Sequence, residues 1–281
     1  MREDGTRLGG RALSGRLEVR AEARTDGRTV LVDQYHSVPF HLSKPYWDGR
    51  VLLLQVANPT AGLFSGDVMR CKICVGAGAA LLLTSQGANR VHPRRAGDPA
   101  SRFEQRFEVE DGGWLEVLPE LLIPQKGSEL VQDSVVEVEE GGRLYYAEML
   151  APGRTARGER YAYLGLEWRF RLEVGGVPVA VERAVIDAET VGFMFAVRGW
   201  EQAYFGCVWV VAPEAEEVDA GRVEAAVGDG DVMVGVTRLA VGVVAVKVLA
   251  RGSIGLRRAL GVVRGVFAER VVNLNASARK L

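Results

Sequence analysis

The sequence predicts a mainly β fold, in which serial hairpins stack into a two-layer, superhelical structure with two amphipathic α-helices near the C-terminal end. Three observations lead there. Short runs of alternating or continuous apolar residues fill most of the chain, the signature of strands buried on one or both faces. Glycine-bearing turns at Gly76, Gly112, Gly141 and Gly175 recur at about thirty-residue spacing, which suggests an array where each unit buries its face on the next. Helical spacing appears only after Pro213.

Residues 1–14 are polar and glycine-bearing and are set apart as a mobile N-terminal segment. Residues 17–23 alternate apolar with charged, Thr25-Asp26-Gly27-Arg28 is a turn, and residues 29–32 return as a second strand. Residues 35–48, with His36, His41, Pro39 and Pro45, read as irregular extended backbone. Residues 51–57 form an apolar strand. Residues 68–75 and 79–85 read as two strands of a hairpin closed by Gly76-Ala77-Gly78. The same reading places hairpin turns at Asp111-Gly112-Gly113, Gly141-Gly142 and Gly175-Gly176. From Pro213 onward, residues 214–227 carry early acids that suit a helix N-terminus. Leu256, Leu260, Val263, Phe267 and Val271 then share one helical face. Residues 15–272 are thus read as a single β-rich domain and 273–281 as a tail.

Composition narrows the functional classes. At 281 residues with a formal charge of −1 and no basic block, the chain does not look like a nucleic-acid binder. Three cysteines are too few for a disulfide framework, and residues 1–16 lack an apolar signal region, so a cytoplasmic location is expected. The apolar run at 232–250 is interrupted by Arg238 and Lys247 and reads as two core strands, without a membrane span.

Catalytic and metal motifs are sparse. Cys71-Lys72-Ile73-Cys74 has C-x-x-C spacing, but on a strand residues three apart point to opposite faces, and no second pair completes a site. Ser65 lacks the preceding glycine of a nucleophile elbow, and neither a Walker A loop nor G-x-G-x-x-G after a strand is present. Oxygen ligands are more suggestive. The 68–85 hairpin would carry Asp67, Thr84 and Ser85 to one end, where they form a polar cluster or merely anchor loops. Glu148 and Glu182 sit in otherwise apolar strands, and a carboxylate there must be paired, hydrated or ligating. Arg154 and Arg183 are the available salt-bridge partners.

These segments together resemble the UreD (UreH) family of urease accessory proteins. The resemblance is carried by Asn58-Pro59-Thr60-Ala61-Gly62-Leu63 with Ser65-Gly66-Asp67, and by Leu83-Thr84-Ser85-Gln86 running through Gly87-Ala88-Asn89-Arg90-Val91-His92. Further blocks are Leu118-Pro119-Glu120 with Ile123-Pro124, Ala147-Glu148-Met149-Leu150-Ala151-Pro152-Gly153-Arg154 with Ala156-Arg157-Gly158-Glu159, and Gly235-Val236-Thr237-Arg238-Leu239. They run in order over nearly the whole chain. Gly87-Ala88-Asn89 departs from a pattern where Thr is common, and the tail matches only loosely. The resemblance implies a non-enzymatic maturation factor that complexes with UreF and the GTPase UreG, docks on apo-urease and helps incorporate nickel. It also implies an internal polar passage for nickel in transit, with no permanently bound cofactor. By position, Asp67, Glu148 and Glu182 are the candidate transient nickel contacts, and Thr84 and Ser85 the polar lining. Two other readings stay open: a purely structural adaptor in the same complex without an ion path, and a β-rich hydrolase using Asp67, Ser85 and a histidine.

Overall fold

A computed structural model describes residues 12–187, 189–190, 200–228 and 230–277. Most of them lie in strands. One seven-stranded sheet runs in the order β15 (Val177–Ile186), β14 (Gly165–Val174), β12 (Glu129–Val138), β9 (Ser101–Val109), β6 (Val68–Val75), β1 (Ser14–Ala23), β2 (Thr29–His36). The main path of the second sheet is β17 (Val232–Ala240), β18 (Val243–Ala250), β16 (Tyr204–Val211), β13 (Arg143–Leu150), β10 (Trp114–Leu118), β7 (Ala80–Ser85), β5 (Val51–Ala57), β3 (His41–Leu42). Three short strands extend it: β4 (Tyr46–Asp48) on β5, β11 (Leu122–Pro124) on β13, and β8 (Asn89–Val91) on β11.

The two-layer, mainly β architecture agrees with expectation; the pairing at three glycine turns does not. β6 and β7 lie in opposite sheets, as do β9 and β10, and β12 and β13. The turns at Gly76, Gly112 and Gly141 are therefore arches between layers. Each sheet gains its next strand in parallel: β6 with β9, β9 with β12, β7 with β10, β10 with β13. The arches stack on one another, with Gly78 N donating to Asp111 O and Gly112 N to Gly141 O, both at 3.2 Å. A left-handed glycine reverses the chain equally well within a sheet or between sheets. What selects the arch is burial, because β7 and β10 are buried on both faces and mostly apolar, as a strand covered by layers on both sides is. True hairpins join β1 to β2, β14 to β15 and β17 to β18.

The outer face of the seven-stranded sheet is charged and solvated. Arg70–Glu104 at 2.8 Å, Lys72–Glu108 at 3.0 Å and Arg106–Glu137 at 2.6 Å cross between neighbouring strands there. Each such exposed pair contributes only about 0–1 kcal/mol. Between the sheets lies one apolar layer, including Leu17, Ile73, Phe107, Tyr146 and Phe170. The far face of the second sheet is covered by helices over another layer, including Trp114, Tyr145, Val208 and Phe267.

The expected helix over 214–227 is two pieces. A 3-10 turn spans Pro213–Glu217, Val218 is extended, and Asp219 caps α1 (Ala220–Val227) by accepting from Gly221 N at 3.1 Å. The last helix, α2 (Ser253–Ala268), buries Leu256, Leu260, Val263 and Phe267 as its spacing predicts. It approaches β16 so closely that a Cβ on Gly206 would lie 2.8 Å from Leu256 Cδ1. Beyond it, Leu274 and Ala276 are also buried. Among the described residues no helix is long and apolar enough to cross a membrane.

Candidate functional site

Inward-facing positions of the sheets create the site. β12 alternates strictly, burying Leu130, Gln132, Ser134, Val136 and Val138. β13 sends Tyr146 and Glu148, two residues apart, to the same side. Polar groups from both sheets therefore meet inside an apolar layer, beside two cavities.

The first cavity, about 400 Å³, has mostly apolar walls, among them Met69, Leu83, Phe103 and Phe107. Thr84, Ser85, Gln86, Asn89 and Glu120 supply polar groups where strands run into loops, and Gln105, Gln132 and Glu148 supply them deeper inside. The second cavity, about 690 Å³, is lined by Trp168, Phe205, Trp209, Cys207, Glu182 and Lys247. Glu148 and Trp168 border both.

Glu148 is buried, with 5% exposure. Its Oε1 accepts from Gln132 Nε2 at 2.8 Å and Tyr146 OH at 2.9 Å, with Ser134 Oγ at 3.5 Å. Gln105 Nε2 in turn donates to Ser134 Oγ at 3.0 Å. The expected arginine partners are engaged elsewhere: Arg154 Nε with Glu159 and Arg183 Nε with Glu167, both at 2.7 Å. Burial pushes the Glu148 carboxyl up to about 8, against the lowering effect of its hydrogen-bond donors, Tyr146 foremost. Burial thus favours the protonated form of this carboxyl, which neutral groups hold.

The other residues singled out from sequence fall in different surroundings. Thr84 Oγ1 donates to Leu118 O at 2.8 Å, and Ser85 Oγ accepts from Glu120 N at 2.7 Å; both line the first cavity. Glu182 lines the second cavity and pairs with Lys247. Asp67 is on neither wall. Its Oδ1 accepts from Leu13 N and its Oδ2 from Phe64 N, each at 2.8 Å. Asp67 and Ser85 lie at one end of the molecule but on opposite sheets, each committed to local backbone. The third group of a hydrolase reading, His92, stacks on Phe64 at 4.3 Å between ring centroids and contacts Ala61 O through Nε2 at 3.0 Å.

The C-x-x-C pair divides as strand geometry demands. Cys71 is buried on the first cavity, where burial pushes its thiol up to about 12. Cys74 faces the other way and donates to Glu108 Oε2 at 3.0 Å. Among the described residues, no group of three or more His, Cys, Asp or Glu side chains is placed to hold a metal ion.

Sequence reasoning missed Gln105, Gln132, Ser134 and Tyr146, and also Glu116 and Glu120 with their partners Arg264 and Arg257. A signal existed for most of them. Gln132 and Ser134 occupy the apolar phase of β12 and Glu116 interrupts the apolar β10, so the test applied to Glu148 would have found them.

Comparison with known proteins finds a matching family model and several relatives. The family model described as UreD urease accessory protein matches residues 13–281. The chain is similar to the urease accessory protein UreD of Opitutus terrae, with 38% identity over 272 residues, covering 95% of this chain and 99% of that protein. It is also similar to the protein of that name from Mycolicibacterium gilvum, 36% identical over 220 residues, 76% of this chain and 77% of the relative. The Acetivibrio thermocellus protein is 29% identical over 185 residues, 63% and 70% of the two chains.

Proposed function

The chain belongs to the UreD urease accessory protein family, and from that membership and the two cavities we propose that it is a non-catalytic factor that helps deliver nickel to apo-urease. In this reading it works in the cytoplasm in complex with UreF and the GTPase UreG. Nickel is cargo in transit, and no cofactor is permanently held.

One observation carries the reading: Glu148 borders both cavities. A carboxylate shared by two chambers is a natural transfer point between them. The route would run from Thr84 and Ser85 at the polar end of the first cavity, past Glu148, to Glu182 in the second. A conducting path must attract the ion yet release it. Isolated oxygen donors meet that need better than a clustered site of thiolates or imidazoles. Asp67 serves this route by holding its loop through two backbone hydrogen bonds, since it lies on neither cavity wall.

The apolar majority of the first cavity's wall favours the second reading, an adaptor without an ion path. A Glu148→Ala variant separates the two. It would replace the wild-type chain in a host carrying urease and the remaining accessory proteins, with urease nickel content and recovery of the complex both measured. The expected result is an intact complex with nickel content reduced about tenfold or more. Normal nickel loading would overturn the passage and leave the adaptor.

A further inference from the structure

Resting on the passage reading, we propose that Gln105 and Gln132 are cation-contact residues that form, with Glu148, a three-oxygen half-site in the first cavity for a hydrated divalent cation. Gln105 on β9 and Gln132 on β12 come from adjacent strands, since Ser134 pairs with Gln105 and Gln132 with Phe103. Glu148 faces them from the opposite sheet, and all three line the cavity.

The hydrogen bonds set which atoms remain. Gln132 commits its amide nitrogen to Glu148 Oε1, and Gln105 commits its own to Ser134 Oγ. An amide has one donor end and one acceptor end, so fixing the nitrogen leaves the oxygen as the group that meets the cavity's contents. Neither amide oxygen is among the sealed, partnerless polar atoms of the described core, which include Trp114 Nε1 and Trp209 Nε1. Glu148 is held by the same network through Oε1, with the Trp168 side chain as a further donor to the carboxyl.

Two amide oxygens and one carboxyl are hard donors suited to hydrated divalent ions, while their low total charge keeps the hold weak. Phe103, Phe107 and Leu83 on the surrounding wall offer an ion nothing in exchange for its water. Within this apolar chamber the oxygen trio is thus a resting point.

The test uses the purified full chain and nickel sulfate in equilibrium dialysis. The variants are Glu148→Ala and the double variant Gln105→Met with Gln132→Met. The double variant is expected to bind nickel about tenfold or more weakly. Weakened binding in Glu148→Ala with wild-type affinity in the double variant overturns the half-site and leaves the passage standing. Unchanged affinity in Glu148→Ala overturns both. Should the double variant fail to fold, nickel K-edge absorption on the loaded wild-type chain decides the question. A shell of light atoms alone is expected, and a sulfur shell, placing the ion at Cys71 or Cys207, would refute the half-site.

Discussion

Arg264 of α2 donates from Nε and Nη2 to the two carboxylate oxygens of Glu116, at 2.6 and 3.1 Å, across 148 residues of sequence. Two helical turns earlier, Arg257 pairs with Glu120 at 2.5 Å, so one helix is pinned to β10 and to the residues just after it through two buried glutamates. Arg264 also donates to Ala276 O at 2.8 Å, which draws the chain beyond α2 into the same joint. Replacing Arg264 with Met strands a fully buried carboxylate and is expected to cost about 3–5 kcal/mol. Burial pushes Glu116 up to about 7 even against the guanidinium. Without Arg264 the group takes up a proton more readily, so the loss should be smaller at pH 6 than at pH 8. Urea unfolding at both pH values measures this, and a second change, Glu116→Leu, should recover part of the loss.

The strands were legible because burial imposes a period of two, plain in Leu166, Trp168, Phe170 and Leu172 of β14. The turn spacing was legible too, as the repeat of stacked arches. Pairing was not, because a left-handed glycine looks the same in a hairpin and in an arch, and parallel partners such as Cys71 and Gln105 are 34 residues apart. Thr84, Ser85 and Glu148 could be suspected individually as oxygen donors in unusual places. Which of them share a cavity depends on strand phase and sheet stacking, which also keep Asp67 off both walls. The neutral partners of Glu148 stayed hidden because Arg154 and Arg183 carried the obvious charge, while Gln132 and Ser134 sit on a strand of the opposite sheet.

Asp67 should behave as a structural residue. In Asp67→Ala the amides of Leu13 and Phe64 both lose their acceptor, at a cost of about 2–4 kcal/mol. The loss should appear as a lower unfolding midpoint and a lower yield of folded protein. By contrast, Thr84→Val should keep near-normal stability, because it loses one hydrogen bond at the partly exposed end of β7.

Gly62 holds the loop at the polar end of the first cavity. Its φ is +131°, and a Cβ there would sit 2.1 Å from Arg90 O, the oxygen that accepts from Leu63 N at 2.8 Å. Gly62→Ala combines backbone strain with a clash against main chain, and an unfavourable φ alone costs about 1–3 kcal/mol. The loop can relieve the clash only by leaving β8. The variant is therefore expected to lose thermal stability and to be cleaved faster by protease within residues 58–67, as mapped by mass spectrometry.

Glu148 gives a pH dependence whose sign can be worked out. In the unfolded chain a glutamate titrates near 4.3, roughly the model-peptide value; in the folded protein burial holds this one at about 8. Between those values the native state keeps a proton that the unfolded state has lost. Unfolding then releases a proton, and stability falls as pH rises. The contribution is complete below the unfolded value and gone above the folded one, at ~1.4 kcal/mol for each tenfold difference in proton affinity. Glu148→Gln places a permanently neutral group of similar shape in the same cradle, where its amide oxygen can still accept from Tyr146 and Gln132. The variant should nearly match wild type at about pH 4, exceed it progressively up to about pH 8, and keep a constant lead above that. Urea unfolding of both proteins across that range provides the comparison, and parallel stability curves would mean that Glu148 is already ionised in the folded protein at neutral pH.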